Sequence, residues 1–324
     1  MTLRVGAKVA NFGPEAGQLT EAAAACEAAG ADSLWLSDRV VAVAVPAASY
    51  PFSDDGSVPW TVDTPFVDSV VAMALVAAAT HRAEIGTGVM VLPLRSPLVL
   101  AKQIASIDAS SGGRLVLGVG TGWMAEEFDL LGVPFAERGP RTDEAVTVLR
   151  ACWRDEPAAV AGRYYRVPAG LGTRPVPAHR IPILAGGMTP AALRRAGRLD
   201  GWYGYIFADR LSVPDVAAAM SVVQGARRRR PDAIAADASA SETGAGAGAA
   251  RDVLRLVGSP DVAARAAGGL IAAGITEVVV DLDWKHPDRA RQAIERIRDA
   301  AAAASAAGDT AGMAGARLSS GQAR

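Results

Sequence analysis

The sequence predicts a (β/α)8 barrel, and three observations carry that prediction. Short β-branched runs alternate with longer helical stretches, giving eight strand–helix units. The length, 324 residues, suits one large α/β barrel better than a small sandwich or bundle. Several of the helical stretches open on Ser or Thr followed closely by proline, a recognised start signal. A doubly wound sheet uses the same elements, because a strand count alone does not show closure.

The expected strands are residues 3–9, 33–36, 85–92, 115–119, 181–184, 201–206, 253–257 and 277–282. The expected helices are 19–29, 66–80, 98–110, 141–153, 190–199, 213–229, 260–273 and 287–304. Thr189 before Pro190 and Ser259 before Pro260 mark two of the helix starts, and Ser212 with Pro214 a third. The run 227–230 is four arginines at the end of a helix, where cations suit the dipole, and it reads as a solvated helix end. Residues 232–250 and 305–324 are Ala/Gly/Ser-rich and are expected to be disordered, since they bury too little apolar surface to offset their ordering entropy. The domain reading is one barrel over 1–304, interrupted by that insert and followed by the tail.

Composition excludes several function classes. Lys+Arg (33) and Asp+Glu (34) nearly cancel, so the net charge of −1 offers no electrostatic reason to expect nucleic acid or an anionic membrane as a partner. The chain has 69 alanines, 30 arginines and three lysines, a bias that resembles GC-rich coding and devalues alanine-rich stretches as structural signals. The two cysteines, Cys26 and Cys152, are far apart, and the three histidines, His81, His179 and His286, show no i, i+4 pair. A disulfide framework or a metal site is therefore not expected. The apolar runs 40–48 and 70–80 fall well short of the roughly 18 residues that span a bilayer. The N-terminal MTLRVGAKVANFG lacks a basic region followed by an apolar core, so the expected location is the cytoplasm.

Barrel enzymes carry their chemistry on the loops after the strands' C-terminal ends. After the second strand come Asp38 and Arg39, an acceptor beside a fixed cation, which also read as a local salt bridge. The third strand contains Gly86 and Gly88, a bulge or a close approach of backbone to ligand, or else a packing requirement. The fourth runs into GVGTGWMAEEF, whose Gly118, Gly120 and Gly122 fit neither dinucleotide fingerprint but bare backbone amides beside Trp123. The fifth ends in Gly186 and Gly187 and opens a helix at Thr189, an arrangement suited to an anion or to a plain βα turn. His81 and His179 precede strands and fall on the opposite face of the barrel, while His286 follows the last strand.

The stretch GTGVMVLPLRSPLVLAKQIASIDASSGGRLVLGVGTGWMAEEFDLLGVPFAERGPRTDEAVTVLRACW resembles the bacterial luciferase-like flavin and deazaflavin oxidoreductases, in their actinobacterial branch that uses coenzyme F420. AAGADSLWLSDRVV, GRYYRVP–RPVP before IPILAGG, and RRAGRLDGWYG extend the likeness over about residues 3–210, and SPDVAARAAGGLIAAGITEVVVDL continues it more weakly. The resemblance implies a luciferase-like barrel with an insertion after the fourth strand and a cofactor at its mouth. It places a non-prolyl cis peptide behind the cofactor ring at Gly88–Val89. It also implies that Gly120, Thr121, Gly122 and Trp123 run along the cofactor, with Glu126 nearby. Gly186, Gly187, Met188 and Thr189 match the phosphate end. Arg138 and Arg141 would meet the anionic tail or pair with Glu126, Glu127 or Asp143.

Asp38 matches an aspartate near the ring, but the position that is usually histidine is Arg39 here. Arginine stays protonated and is a poor proton shuttle, so Arg39 is expected to act as an electrostatic clamp, with the proton coming from water, substrate, Tyr50 or Glu126. The segment 40–63, with Tyr50, Phe52 and Trp60, is expected over the substrate side, as a substrate contact or as a lid's own core. The resemblance thus implies an F420-dependent oxidoreductase that moves a hydride between deazaflavin C5 and a small organic substrate. The rivals are an FMN-dependent monooxygenase supplied with reduced flavin by a partner enzyme, and a non-catalytic flavin-binding barrel. A homodimer is the state it implies.

Overall fold

A computed structural model describes residues 2–229 and 250–319, apart from Val45, Phe52, Asp54 and Pro157, with side chains described through Ala307. Eight parallel strands close on themselves: β1 (Arg4–Lys8), β2 (Ser33–Leu36), β3 (Glu84–Thr87), β5 (Leu115–Gly120), β8 (Ile183–Gly186), β9 (Gly201–Phe207), β10 (Arg251–Val257) and β11 (Glu277–Val280). Each pairs with its neighbours in that order, and the β1–β11 and β3–β5 ladders exclude the doubly wound alternative. A short β4 (Met90–Val91) continues β3 along β5. A hairpin, β6 (Val160–Ala161) and β7 (Arg166–Val167), precedes β8.

The helices form the outer ring: α1 (Leu19–Ala28), α2 (Ser69–Ala79), α3 (Pro97–Ser111), α4 (Ala125–Leu130), α5 (Arg138–Cys152), α6 (Pro190–Arg198), α7 (Val213–Arg228), α8 (Pro260–Ala273) and α9 (Pro287–Ser319). The short α4 is the insertion expected after the fourth barrel strand. Thr189, Ser212 and Ser259 accept from backbone amides of the first turns they were expected to cap. The start of α2 is set by Asp68, which accepts from Val70 and Val71, so the helix begins later than 66.

Other elements differ from their expected form. The continuous strand expected over 85–92 is broken between Thr87 and Met90, where the Gly88–Val89 peptide is cis. Arg227 is not a solvated helix end: its guanidinium grips the buried Asp252 at 3.0 Å. α9 runs through Ser319, within the segment expected from its composition as a disordered tail, whose last residues, 320–324, lie outside the described residues. The insert expected at 232–250 lies outside the described residues, except for Ala250 ahead of β10.

Alternation along the strands sorts side chains into layers. Outward residues such as Val5, Leu34, Ile85 and Leu254 join the main core against the helices. Inside, Trp35, Val116, Leu184, Tyr203, Val253 and Val279 form a middle layer. Below it, at the strands' N-terminal ends, lie Arg4, Glu84, Arg251 and Glu277, joined by ion pairs. Above it is the mouth. No described helix is long and apolar enough to cross a membrane.

Candidate active site

The two sides of the mouth differ in chemistry. On the β3–β5–β8 side the inward positions are glycine. A Cβ on Gly120 or Gly186 would lie 2.6 Å from a methyl of Val89, so the two strands leave a slot that the Val89 side chain fills. A Cβ on Gly88 would strike the Tyr203 hydroxyl below it. The immediate reason for Gly120 and Gly186 is therefore packing around the cis Gly88–Val89 bulge rather than a bared amide. Together they leave a flat, backbone-rich surface on this side.

The opposite side is polar. Continuing the alternation, β1, β9 and β10 direct Lys8, Tyr205 and Arg255 inward, and Asp281 follows β11. Arg255 is buried, pairs with Asp281, and donates to the Leu256 and Val279 carbonyls at 2.7 and 3.3 Å. Burial pushes the phenols of Tyr203 and Tyr205 above the usual range, so both stay protonated. None of these residues was singled out from sequence. The available signal was alternation: in RVGAK, Arg4, Gly6 and Lys8 share the face opposite Val5 and Ala7.

Asp38 and Arg39 do not pair with each other. Asp38 is buried and accepts from Ser69 Oγ (2.7 Å), the Val91 amide (2.8 Å) and Arg95, whose guanidinium also reaches Asp68. It thereby ties the end of β2 to the strand just past the bulge, which makes it a positioning residue. Asp38→Asn would turn an amide N–H toward donors and is expected to cost about 2–3 kcal/mol. Urea unfolding with m unchanged checks this, and a parent-like midpoint would refute it.

Arg39 is buried as well. Its Nη1 pairs with Glu127 at 2.9 Å, and Glu127 also accepts the Val40 and Val41 amides at 2.8 and 3.1 Å. Its guanidinium carbon lies 4.5 Å from the Trp60 ring centre and 5.6 Å from that of Trp123. Tyr50 completes the wall, 5.2 Å from Trp60 and 5.3 Å from Trp123, and its hydroxyl bonds that of Tyr205 across the mouth. The described Tyr50 and Trp60 of segment 40–63 thus pack around Arg39, as the reading of a lid's own core expects, and the expected clamp is committed to Glu127. Phe52 lies outside the described residues.

The proton sources expected beside Arg39 fare poorly. Glu126 is held below the usual carboxylate range by the Ala47 amide that it accepts, so it is ionised and fastens the lid instead. Burial pushes Tyr50 upward, well away from neutral pH.

At the end expected to take an anion, Thr189 caps α6, and Met188 is exposed just before it. The Gly187 amide is not free: it donates to the Tyr203 carbonyl at 3.3 Å. Arg138 stacks 3.9 Å over Phe135 and donates to its carbonyl. Arg141 pairs with Glu137 at 2.8 Å rather than with Glu126, Glu127 or Asp143. Gly122, at φ +80°, turns the chain between Thr121 and Trp123 against Phe128. Among the histidines, His286 sits exposed against Asp283 at 2.9 Å. Among the described residues no group of His, Cys, Asp and Glu is arranged to hold a metal ion.

Comparison with known proteins agrees with this architecture. An uncharacterized protein of Mycobacterium tuberculosis is 39% identical over 180 residues, covering 56% of this chain and 62% of that one. The F420-dependent glucose-6-phosphate dehydrogenase of Nakamurella multipartita is 34% identical over 213 residues, covering 62% of this chain and 55% of its own length. The chain therefore spans less than two thirds of the length of these curated relatives. Among solved structures, an F420-dependent secondary alcohol dehydrogenase in complex with an F420–acetone adduct superposes with TM-score 0.70 at 15% identity, over 92% of this chain and all of that one. The oxygenating constituent of 3,6-diketocamphane monooxygenase from Pseudomonas putida, in complex with FMN, reaches 0.64 at 15% identity, over 92% and 97%. At such identities the likeness is one of fold. The profile of the luciferase-like monooxygenases matches residues 3–242, and together with the closed barrel this places the chain in the luciferase-like monooxygenase family.

Proposed function

We propose that this protein is an oxidoreductase dependent on coenzyme F420, acting on a small organic substrate by C=C, C=N or C=O reduction or by alcohol oxidation. The observation that carries the reading is the two-sided mouth: a flat glycine-and-Val89 surface faces a polar rim of Lys8, Tyr205 and Arg255. A planar ring fits the first side, where strand side chains are missing. A substrate heteroatom fits the second. The choice of deazaflavin over flavin is supported by the sequence relatives, which include F420-dependent glucose-6-phosphate dehydrogenases.

When bound, coenzyme F420 supplies a two-electron hydride carrier that lacks the N5 needed for ready oxygen activation. The protein's work is to position and to exclude water. The Gly88–Val89 bulge would back the ring, with Gly120 and Gly186 holding the bulge in place. Gly122, Thr121 and Trp123 would border it, and Met188, Thr189 and Arg138 would receive the anionic tail. Tyr50, Trp60 and Trp123, braced by the Arg39–Glu127 pair, would close the substrate side to water.

Titration of the purified protein with F420 and with FMN, followed by ligand fluorescence, tests the reading. F420 is expected to bind in preference, and reduced F420 to be oxidised by a member of a panel of ketones, enones and imines with no oxygen uptake. Preference for FMN with oxygen consumption would favour a monooxygenase. Binding with no turnover in either direction would favour a non-catalytic barrel.

A further inference from the structure

We propose that Lys8 is the acid–base residue of the mouth, exchanging a proton with the substrate oxygen in the place that Arg39 cannot fill. The inference deepens the oxidoreductase reading and rests on it. Lys8 stands at the C-terminal end of β1, and alternation with the outward Val5 and Ala7 turns it into the barrel, beside Arg255 and Asp281. Its Nζ donates to the Val9 carbonyl at 3.1 Å and the Trp35 carbonyl at 3.3 Å. An ammonium has three N–H donors, so one remains for a ligand. Among the described residues no carboxylate lies within ion-pair distance of it, whereas Arg255, its cationic neighbour in the rim, has Asp281. A lysine held only by neutral carbonyls gives up its proton more readily than one facing a carboxylate.

The groups facing Lys8 do not all push the same way, and burial with the Arg255 charge outweighs the rest. Val9, just past β1, and Trp35 of β2 contribute the two carbonyls, and the Phe12 ring centre lies 5.9 Å from Nζ. β10 contributes Arg255, and the end of β11 contributes Asp281, with the protonated Tyr203 and Tyr205 of β9 beyond. Burial, then the Arg255 charge, lowers the Lys8 pKa from 10.5 to about 7, against a smaller opposing effect of Asp281. Both protonation states are then populated near neutral pH, as general acid–base catalysis requires.

The chemistry balances with a hydride carrier of the deazaflavin class as the redox partner. In the reducing direction the carrier gives a hydride to the carbonyl carbon, the C=O π electrons move to oxygen, and the Lys8 ammonium protonates that oxygen to leave an alcohol and a neutral amine. In the oxidising direction the neutral amine takes the hydroxyl proton as the hydride departs to the oxidised carrier.

The small number of lysines makes the test direct. Labelling with [13C,15N]-lysine yields signals from Lys8, Lys102 and Lys285 alone, and loss of one in K8M assigns it. The Lys8 Nζ and Cε shifts are expected to titrate with a midpoint close to 7, and saturating oxidised F420 is expected to move that midpoint as the mouth becomes covered. Unfolding supplies a readout independent of ligand. A lysine neutralised in the folded state makes stability rise with pH between about 7 and 10.5, and K8M should flatten that rise. A Lys8 midpoint near 10.5, or one unmoved by F420 that fluorescence shows to be bound, overturns the role of Lys8 and leaves the oxidoreductase reading standing. Failure of F420 to bind, with Lys8 still titrating near neutrality, overturns the cofactor reading on which the role rests.

Discussion

Glu127→Ala is expected to destabilise the protein by about 3–5 kcal/mol and to loosen the lid over 40–63. The carboxylate and the Arg39 guanidinium it pairs with are both nearly inaccessible, at 3% and 8% side-chain exposure. Deleting Glu127 leaves a buried cation with no counter-charge. The Trp60 and Trp123 faces remain, but a cation–π contact returns only about 0.5–2 kcal/mol. The same carboxylate holds the Val40 and Val41 amides, so the segment leaving β2 loses its anchor as well. Glu127→Gln separates these effects: its carbonyl still accepts from the amides, so it should lose less than the alanine variant. Urea unfolding measures the stability, and limited proteolysis within 40–63 reports the lid. An alanine variant within about 1 kcal/mol of the parent, with no new cleavage, would show that the pair braces nothing.

That pairing also marks where sequence reasoning stopped. The elements were legible because apolar periodicity and caps are local: strand 33–36 and helix 260–273 have the bounds expected of them. Helix α5 begins at Arg138 rather than 141 because Pro140 is tolerated in a first turn. The loops at the mouth were legible too, since a barrel places them there. Partner choice was not. Asp38 and Arg39 are neighbours in sequence and suggest one salt bridge, but their side chains diverge, to Arg95 57 positions on and Glu127 88 positions on. The glycines carried a similar ambiguity. Gly120 and Gly186 read as bared amides for a ligand, whereas the space they leave is filled by Val89, a residue whose reach depends on the turn the chain takes at Gly88. Lys8 was available from alternation alone, but a lysine closing a strand resembles a solvated end until the barrel closes around it.

Glu277→Gln is expected to cost a further several kcal/mol, about 3–5 at neutral pH, although the residue lies at the far end of the barrel from the mouth. Glu277 is fully buried and faces Arg251 at 2.6 Å and Arg4 at 3.4 Å. Its Oε1 accepts from Ser33 and from the Trp35 indole, the latter at 2.9 Å. Burial by itself would raise its pKa; the two arginines and these hydrogen bonds outweigh burial and hold it below the ordinary value of 4.5. A carboxyl depressed in the folded state stabilises fully above its unfolded value, and that contribution disappears as pH falls through the folded one. The gap between parent and variant should therefore be widest above about 4.5 and narrow on further acidification, when the parent's own carboxyl takes up a proton. A gap independent of pH would mean that shape, and not charge, is what Glu277 supplies. The consequence reaches the site through Trp35, whose indole rests on Glu277, whose ring packs 4.8 Å from Tyr203, and whose carbonyl holds Lys8. A variant that loosens this indole should shift the Lys8 signal without touching any residue of the mouth.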